Sequence, residues 1–306
     1  MLITLPGLHE LLAPVIEAAY DRPEPVARCY PGTRQNVIAS ITNWSDGQGD
    51  LPICWLNGPA GFGKSAIAQT MAERYAREGR LAGSFFFRRG IAERSTISRL
   101  IPTLSYELAL SVPDVKQAIQ HVIENEPRIA HRSLRYQFQK LMIEPMLSAS
   151  NFMGPRKPVV VIDGLDECDD KGLTAEFIEV IISAFKDNST LPFRIIITSR
   201  VEQHIQRKFG TSAACSVVLH KSLHGFDARP DIRVFFKSSF ATIYEENRMV
   251  MRNVRLPWPS ESNLDTLARK SDGSFIFATT LMDVIRKGTG LPQEVAECLD
   301  HRGWAR

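Results

Sequence analysis

The sequence predicts an α/β fold, a parallel central sheet with helices on both faces, followed by a smaller all-helical part. Three observations carry the prediction. The short apolar run Ile53-Cys54-Trp55-Leu56 leads into Gly58-Pro59-Ala60-Gly61-Phe62-Gly63-Lys64-Ser65, and a long helical pattern leaves it. That is G-x-x-x-x-G-K-[ST] in the strand-then-helix setting of a phosphate-binding loop. Further apolar runs, at 81–87, 158–162, 193–198 and 215–219, alternate with helical stretches, which implies crossover units and a parallel sheet. After His220 the pattern is helical only.

Taken in order, Leu8, Leu11, Leu12, Val15 and Ile16 recur at helical spacing, so an amphipathic helix is expected within residues 1–19. Residues 21–31, rich in Pro and Arg, read as a linker, and 33–44 as a helix carrying Val37, Ile38, Ile41 and Trp44. Residues 46–50 form a polar loop before the strand of Ile53. The helix over 64–78 buries Ile67, Ala68, Met71, Ala72 and Tyr75, and Gly79 closes it. Phe85-Phe86-Phe87 ends the next strand and reads as core. Arg88, Arg89, Arg94 and Arg99 read as a solvated basic face, with a phosphate or partner contact from one of them as the alternative. Residues 95–148 are helical, with Pro113 as a first-turn residue, and 148–157 is a loop. Pro158 to Ile162 is a strand buried on both faces. Leu173, Phe177, Val180, Ile181 and Ala184 share a helix face. Pro230 starts a later helix, 246–259 is a loop, Ser260 is an N-cap, and the last firm helix covers 274–287. The expected division is an N-terminal helix and linker over 1–28, a phosphate-loop domain over 29–220, and a helical domain over 221–306.

A chain of 306 residues can bury a large core without staples, and its net charge of +3 is too small to argue for nucleic acid. The five cysteines are scattered with no C-x-x-C pair, which points away from a disulfide framework or zinc site and toward a reducing, cytoplasmic setting. The N-terminal stretch has Glu10 and Glu17 but no early Lys or Arg, unlike a signal peptide, and no apolar run is long enough for a bilayer. Neither a nucleic-acid nor a membrane partner is expected.

The chemistry sits in three places. Glycines let the loop backbone turn successive N–H groups inward as a nest for phosphate oxygens, with the following helix adding its positive end. Gly58 to Ser65 and Ala66 would therefore bind a nucleotide's phosphates, with Lys64 on the β- and γ-phosphates and Ser65 holding Mg²⁺. Asp163, at the carboxyl end of a parallel strand, would join Ser65 at the metal. Asp166 and Glu167 follow; hydrolysis needs a group to orient water, and one of them could serve, or both could be structural. Arg200, leaving the run Ile195-Ile196-Ile197-Thr198-Ser199, could reach a γ-phosphate with its fork of donors, or could be an ordinary helix-start Arg.

The string from Cys29-Tyr30-Pro31-Gly32-Thr33-Arg34 through Trp55-Leu56-Asn57-Gly58-Pro59-Ala60-Gly61 resembles the NACHT module of fungal NOD-like receptors and the nephrocystin-type N-terminal NTPase. Asp163-Gly164-Leu165-Asp166-Glu167 is similar to the family's acidic motif and Thr198-Ser199-Arg200 to its sensor motif. Gly273-Ser274-Phe275-Ile276-Phe277-Ala278-Thr279 is similar to a motif of its helical region. The resemblance covers about residues 29 to 287. It implies a three-layer P-loop NTPase of ASCE strand order, with the strands of Ile53 and Phe193 adjacent, and a STAND-type switch. ADP would hold a closed monomer, and ATP would open it for homo-oligomerisation and an unknown protein partner. It also implies that Tyr30 to Arg34 lies near the adenine. Many related ATPases carry a Glu where this chain has Gly164, which argues for slow hydrolysis. The effector and repeat-sensor regions usual in the family, and a complete winged helix, are not seen in these residues, so a truncated or stand-alone module is expected. The competing readings are a conventional ATPase or phosphotransferase, and an interaction scaffold without nucleotide function.

Overall fold

The computed structural model describes residues 7–48, 51–149, 156–254 and 256–287. Five parallel strands, β1 (Ile53–Asn57), β2 (Leu81–Phe86), β3 (Val159–Asp163), β4 (Arg194–Ser199) and β5 (Val218–Ser222), form one sheet in the order β2-β3-β4-β1-β5. β1 lies between β4 and β5, with Ile53 opposite Ile195 on one side and Val218 on the other. The expected adjacency of the Ile53 and Phe193 strands is therefore present, in an α/β fold of the P-loop type. β1 to β4 are buried along their whole length, as strands covered on both faces must be. Alternation sends Trp55, Ile162 and Ile197 to one face, and Leu56, Val161 and Ile196 to the other.

The helices follow from their apolar spacing. α1 (Gln35–Asn43) precedes the sheet, and α2 (Lys64–Arg77) leaves the phosphate loop with Ile67, Ala68, Met71, Ala72 and Tyr75 buried, as their spacing predicts. α3 (Leu100–Ser111) lies along β2, and α4 (Pro113–Asn125) starts on Pro113. α5 (Lys171–Asp187) is capped by the Asp170 side chain, which accepts the Leu173 N–H. Phe85, Phe86 and Phe87 are core, as read from the sequence.

Four expectations are corrected. The last strand covers 218–222 rather than 215–219: Thr211 caps a helical turn over Ser212–Cys215, which takes up the first residue of the apolar run, and the strand starts three residues later. The N-terminal helix is short, Leu8–Leu12. Ala13 in the left-handed region (φ 43°) and Pro14 end it, and a 3₁₀ turn, Ile16–Ala18, follows. Residues 46–48 finish a π-helical turn from Trp44, whereas the rest of that expected loop, 49–50, lies outside the described residues. Arg94 is not part of a solvated face but is buried. Its Nε donates to the Phe86 carbonyl (3.1 Å), and its guanidinium pairs with Glu24. The parts of the other expectations that fall on 1–6, 150–155, 255 and 288–306 also lie outside the described residues.

The chain divides into two compact units. One comprises Met1–Arg28, Ile38–Pro59 and Lys64–Leu223; the other Cys29–Val37, Ala60–Gly63 and His224–Arg306. The second has its own core. α6 (Arg229–Glu246), α7 (Glu261–Lys270) and α8 (Phe275–Lys287) bring together Ile232, Phe236, Phe240, Leu267, Met282 and Ile285. Ser260 caps α7 by accepting the Asn263 N–H, as expected of an N-cap serine.

Candidate nucleotide site

In the sheet unit the site is built where strands end and a helix begins. β1 ends at Asn57, and Gly58 and Pro59 turn the chain out of the sheet. Lys64 and Ser65 open α2. The Lys64 ammonium donates to the carbonyls of Gly58 and Pro59, both at 2.8 Å, which folds the side chain back along its own loop. Burial pushes the Lys64 ammonium down, and nearby Asp166 and Asp163 pull it back up.

β3 carries Asp163 to the sheet's carboxyl edge, where its carboxyl is buried. Thr198, at the end of β4, donates its hydroxyl to Asp163 Oδ1 at 2.5 Å, and the same oxygen of Thr198 accepts the Gly164 N–H at 3.0 Å. The Ser65 hydroxyl lies close enough to the Asp163 carboxyl to favour its ionised form. Burial raises the Asp163 carboxyl above its ordinary range, and these two hydroxyls act against that rise. Ser65 and Asp163, from distant parts of the sequence, are thus brought close to each other, with Thr198 bonded to the Asp163 carboxyl.

Gly164 takes the left-handed conformation (φ 68°), open to glycine at little cost. It turns the chain so that Asp166 points back toward β4. Asp166 accepts the Arg200 N–H (2.8 Å) on one oxygen and Arg200 Nε (2.6 Å) on the other. Glu167 accepts the Arg89 N–H at 3.1 Å, and Arg89 Nη2 donates to the Asp166 carbonyl at 2.8 Å. The carboxylate of Asp166 is therefore committed to Arg200, while Oε1 of Glu167 has no hydrogen-bond partner among the described residues. The terminal nitrogens of Arg200 are likewise uncommitted among them, on a side chain 39% exposed. Asp166 raises Arg200's hold on its proton further.

The family description "Nephrocystin 3, N-terminal" matches residues 32–200, more than half the chain. The chain belongs to this family. No curated protein matches it. Among solved structures, the nephrocystin-type chain is similar to the Walker-type ATPase PABY2304 of Pyrococcus abyssi, at 17% identity and TM-score 0.48, over 93% of this chain and 80% of that one. C. elegans PCH-2 is similar at 14% identity and TM-score 0.44, over 87% of this chain and 68% of that one. Drosophila ORC, in a structure bound to DNA, is similar at 12% identity and TM-score 0.39, over 86% and 44%.

The remaining part of the nephrocystin-type phosphate loop, Ala60 to Gly63, groups with the helical unit. Gly61 and Gly63 have φ of 81° and 84°, values that L side chains resist. The Gly61 carbonyl accepts the Phe275 N–H at 2.8 Å, and a Cβ at Gly61 would stand 2.8 Å from Ser274 Oγ. Arg34 is buried, with φ of 58°. Its N–H donates to Asp231 (3.0 Å), Nη2 donates to the Phe62 carbonyl (2.7 Å), and the guanidinium lies over the Phe275 ring. Its Nε and Nη1 are buried without a partner among the described residues. Three segments singled out in the sequence, Tyr30 to Arg34, the loop tip, and Gly273 to Phe277, meet within this unit.

Sequence reasoning gave no individual role to Thr198, Arg89 or Arg34. Thr198 and Arg34 stood inside quoted motifs; Arg89 had no signal beyond its charge. Among the described residues, no group of three or more His, Cys, Asp or Glu side chains could hold a metal unaided. Ser65 and Asp163 offer hard oxygen donors, of the kind that Mg²⁺ takes.

Proposed function

We propose that this chain is an ATP- and ADP-binding switch of the NACHT/STAND type, with slow Mg²⁺-dependent hydrolysis, acting in the cytoplasm in fungal recognition or signalling. The observation that carries the reading is the Ser65–Asp163–Thr198 cluster at the ends of α2, β3 and β4, beside Lys64. Ser65 and Asp163 would hold a Mg²⁺, which when bound would supply neutralisation of phosphate charge. The chain's own part is to present the Lys64 ammonium, the Ser65 hydroxyl and the Asp163 carboxyl. Lys64 would exchange the carbonyls of Gly58 and Pro59 for the β- and γ-phosphates.

Slow turnover fits the acidic pair. Asp166 is occupied by Arg200, so it acts as a positioning residue for that arginine rather than as a base for water. Glu167 is the carboxylate with an oxygen free to orient water. Arg200, held at its backbone and Nε, keeps its terminal nitrogens for a γ-phosphate. We further propose that the helical part from about residue 221 responds to nucleotide state, and that ATP promotes self-association. The independent core of α6, α7 and α8 supports the first of these.

The test is the nucleotide that co-purifies with the protein, together with its mass in solution in ADP and in ATP with Mg²⁺. The expected result is bound ADP, a monomer in ADP, a larger species in ATP, and turnover below about one per minute, as in unassisted switch NTPases. Turnover of many ATP per second with an unchanging mass would favour the conventional ATPase.

A further inference from the structure

The sheet unit holds a second concavity, at the opposite edge of the sheet from β5. It has a volume of about 480 Å³, within the range of small-molecule pockets, and is walled by Val15, Ile16, Ala19, Leu81, Ala82 and Leu110. β2 is an edge strand here, and its free edge is met by Glu107 of α3. Glu107 Oε2 accepts the N–H and the hydroxyl of Ser84, at 2.5 and 3.1 Å. Its other oxygen has no hydrogen-bond partner among the described residues, and the residue lines the cavity. Tyr20, Tyr106 and Asp21 also line it, and their side-chain oxygens make no hydrogen bond among the described residues. Among the described residues, no Lys, Arg or His lines the cavity.

We propose that this cavity binds a small organic cation, a primary ammonium on an aromatic or aliphatic body. The walls would take the apolar body, and Glu107 with Asp21 would accept the ammonium hydrogens. An anion would meet two carboxyl groups without a counter-charge. A purely apolar occupant would strip water from the open oxygen of Glu107 without replacing it. Burial, with Asp21 nearby, raises the Glu107 carboxyl to about 7, and an ammonium is the kind of partner that would restore its charge. The groups facing it are Asp21 and Tyr20 from the N-terminal arm, Ser84 of β2, and Tyr106 on its own helix.

The test is calorimetric titration of the full chain at pH 8 with tryptammonium, and with indole-3-ethanol and indole-3-acetate as neutral and anionic counterparts. Tryptammonium is expected to bind saturably at one site, with the alcohol about tenfold weaker or more and the acetate weaker again. Glu107→Gln should weaken tryptammonium by about tenfold. Asp21→Asn, at an exposed side chain, should weaken it by about threefold and carries the test if the first variant does not fold. No saturable tryptammonium binding, equal affinity for all three compounds, or unchanged affinity in every variant that folds would overturn the proposal.

Discussion

Asp166 and Glu167 are adjacent and chemically alike, yet their surroundings give them different work. One carboxylate is filled on both oxygens by Arg200; the other accepts a single amide N–H from Arg89. If Asp166 positions Arg200, Asp166→Asn and Arg200→Ala should share one defect, a lost preference for ATP over ADP. The double variant should be no worse than either single one, since residues acting as a unit are not additive. Additive losses in ATP and ADP affinity would separate the two residues. Glu107 gives a second residue-level expectation. Its folded value of about 7 stands above its ordinary 4.5, so the fold favours the protonated form. The stability it contributes is complete below its ordinary value and is lost as pH rises through about 7. Melting between pH 6 and 8 should therefore fall less in Glu107→Gln than in the parent chain; identical slopes would remove Glu107 from the account.

At the scale of elements, the strands were legible where burial on both faces demanded continuous β-branched residues, as in Val159 to Ile162. α2 and α5 were legible because their apolar positions recur at helical spacing over many turns. The last strand was misplaced because β5 is an edge strand whose burial alternates, so its pattern is weaker than that of the apolar stretch before it. Arg94 was misread because charge predicts solvation unless a partner is known, and Glu24 lies far away in sequence. Of the site, the phosphate loop and Asp163 were legible as motifs; Arg34's unpartnered nitrogens and the Asp166–Arg200 pair exist only through tertiary contact. The cap of α5 tests an element directly. Asp170→Ala removes the acceptor for the Leu173 N–H, and chemical denaturation should show a loss of about 0.5–2 kcal/mol. No measurable loss would mean that water or a neighbouring residue satisfies the helix start equally well.

At the scale of the molecule, the parallel sheet order places the ends of β1, β3 and β4 side by side, and so brings residues 64–65, 163 and 198–200 into one cluster. A different order would separate Asp163 from Ser65. No helix among the described residues is long and apolar enough to cross a membrane. The most direct measurement is equilibrium binding of ATP, with and without Mg²⁺, to the parent chain, to Lys64→Ala and to Asp163→Asn. The account predicts tight binding that Mg²⁺ strengthens in the parent, no binding in Lys64→Ala, and binding without the Mg²⁺ enhancement in Asp163→Asn. Full affinity in Lys64→Ala, or an undiminished Mg²⁺ effect in Asp163→Asn, would contradict it.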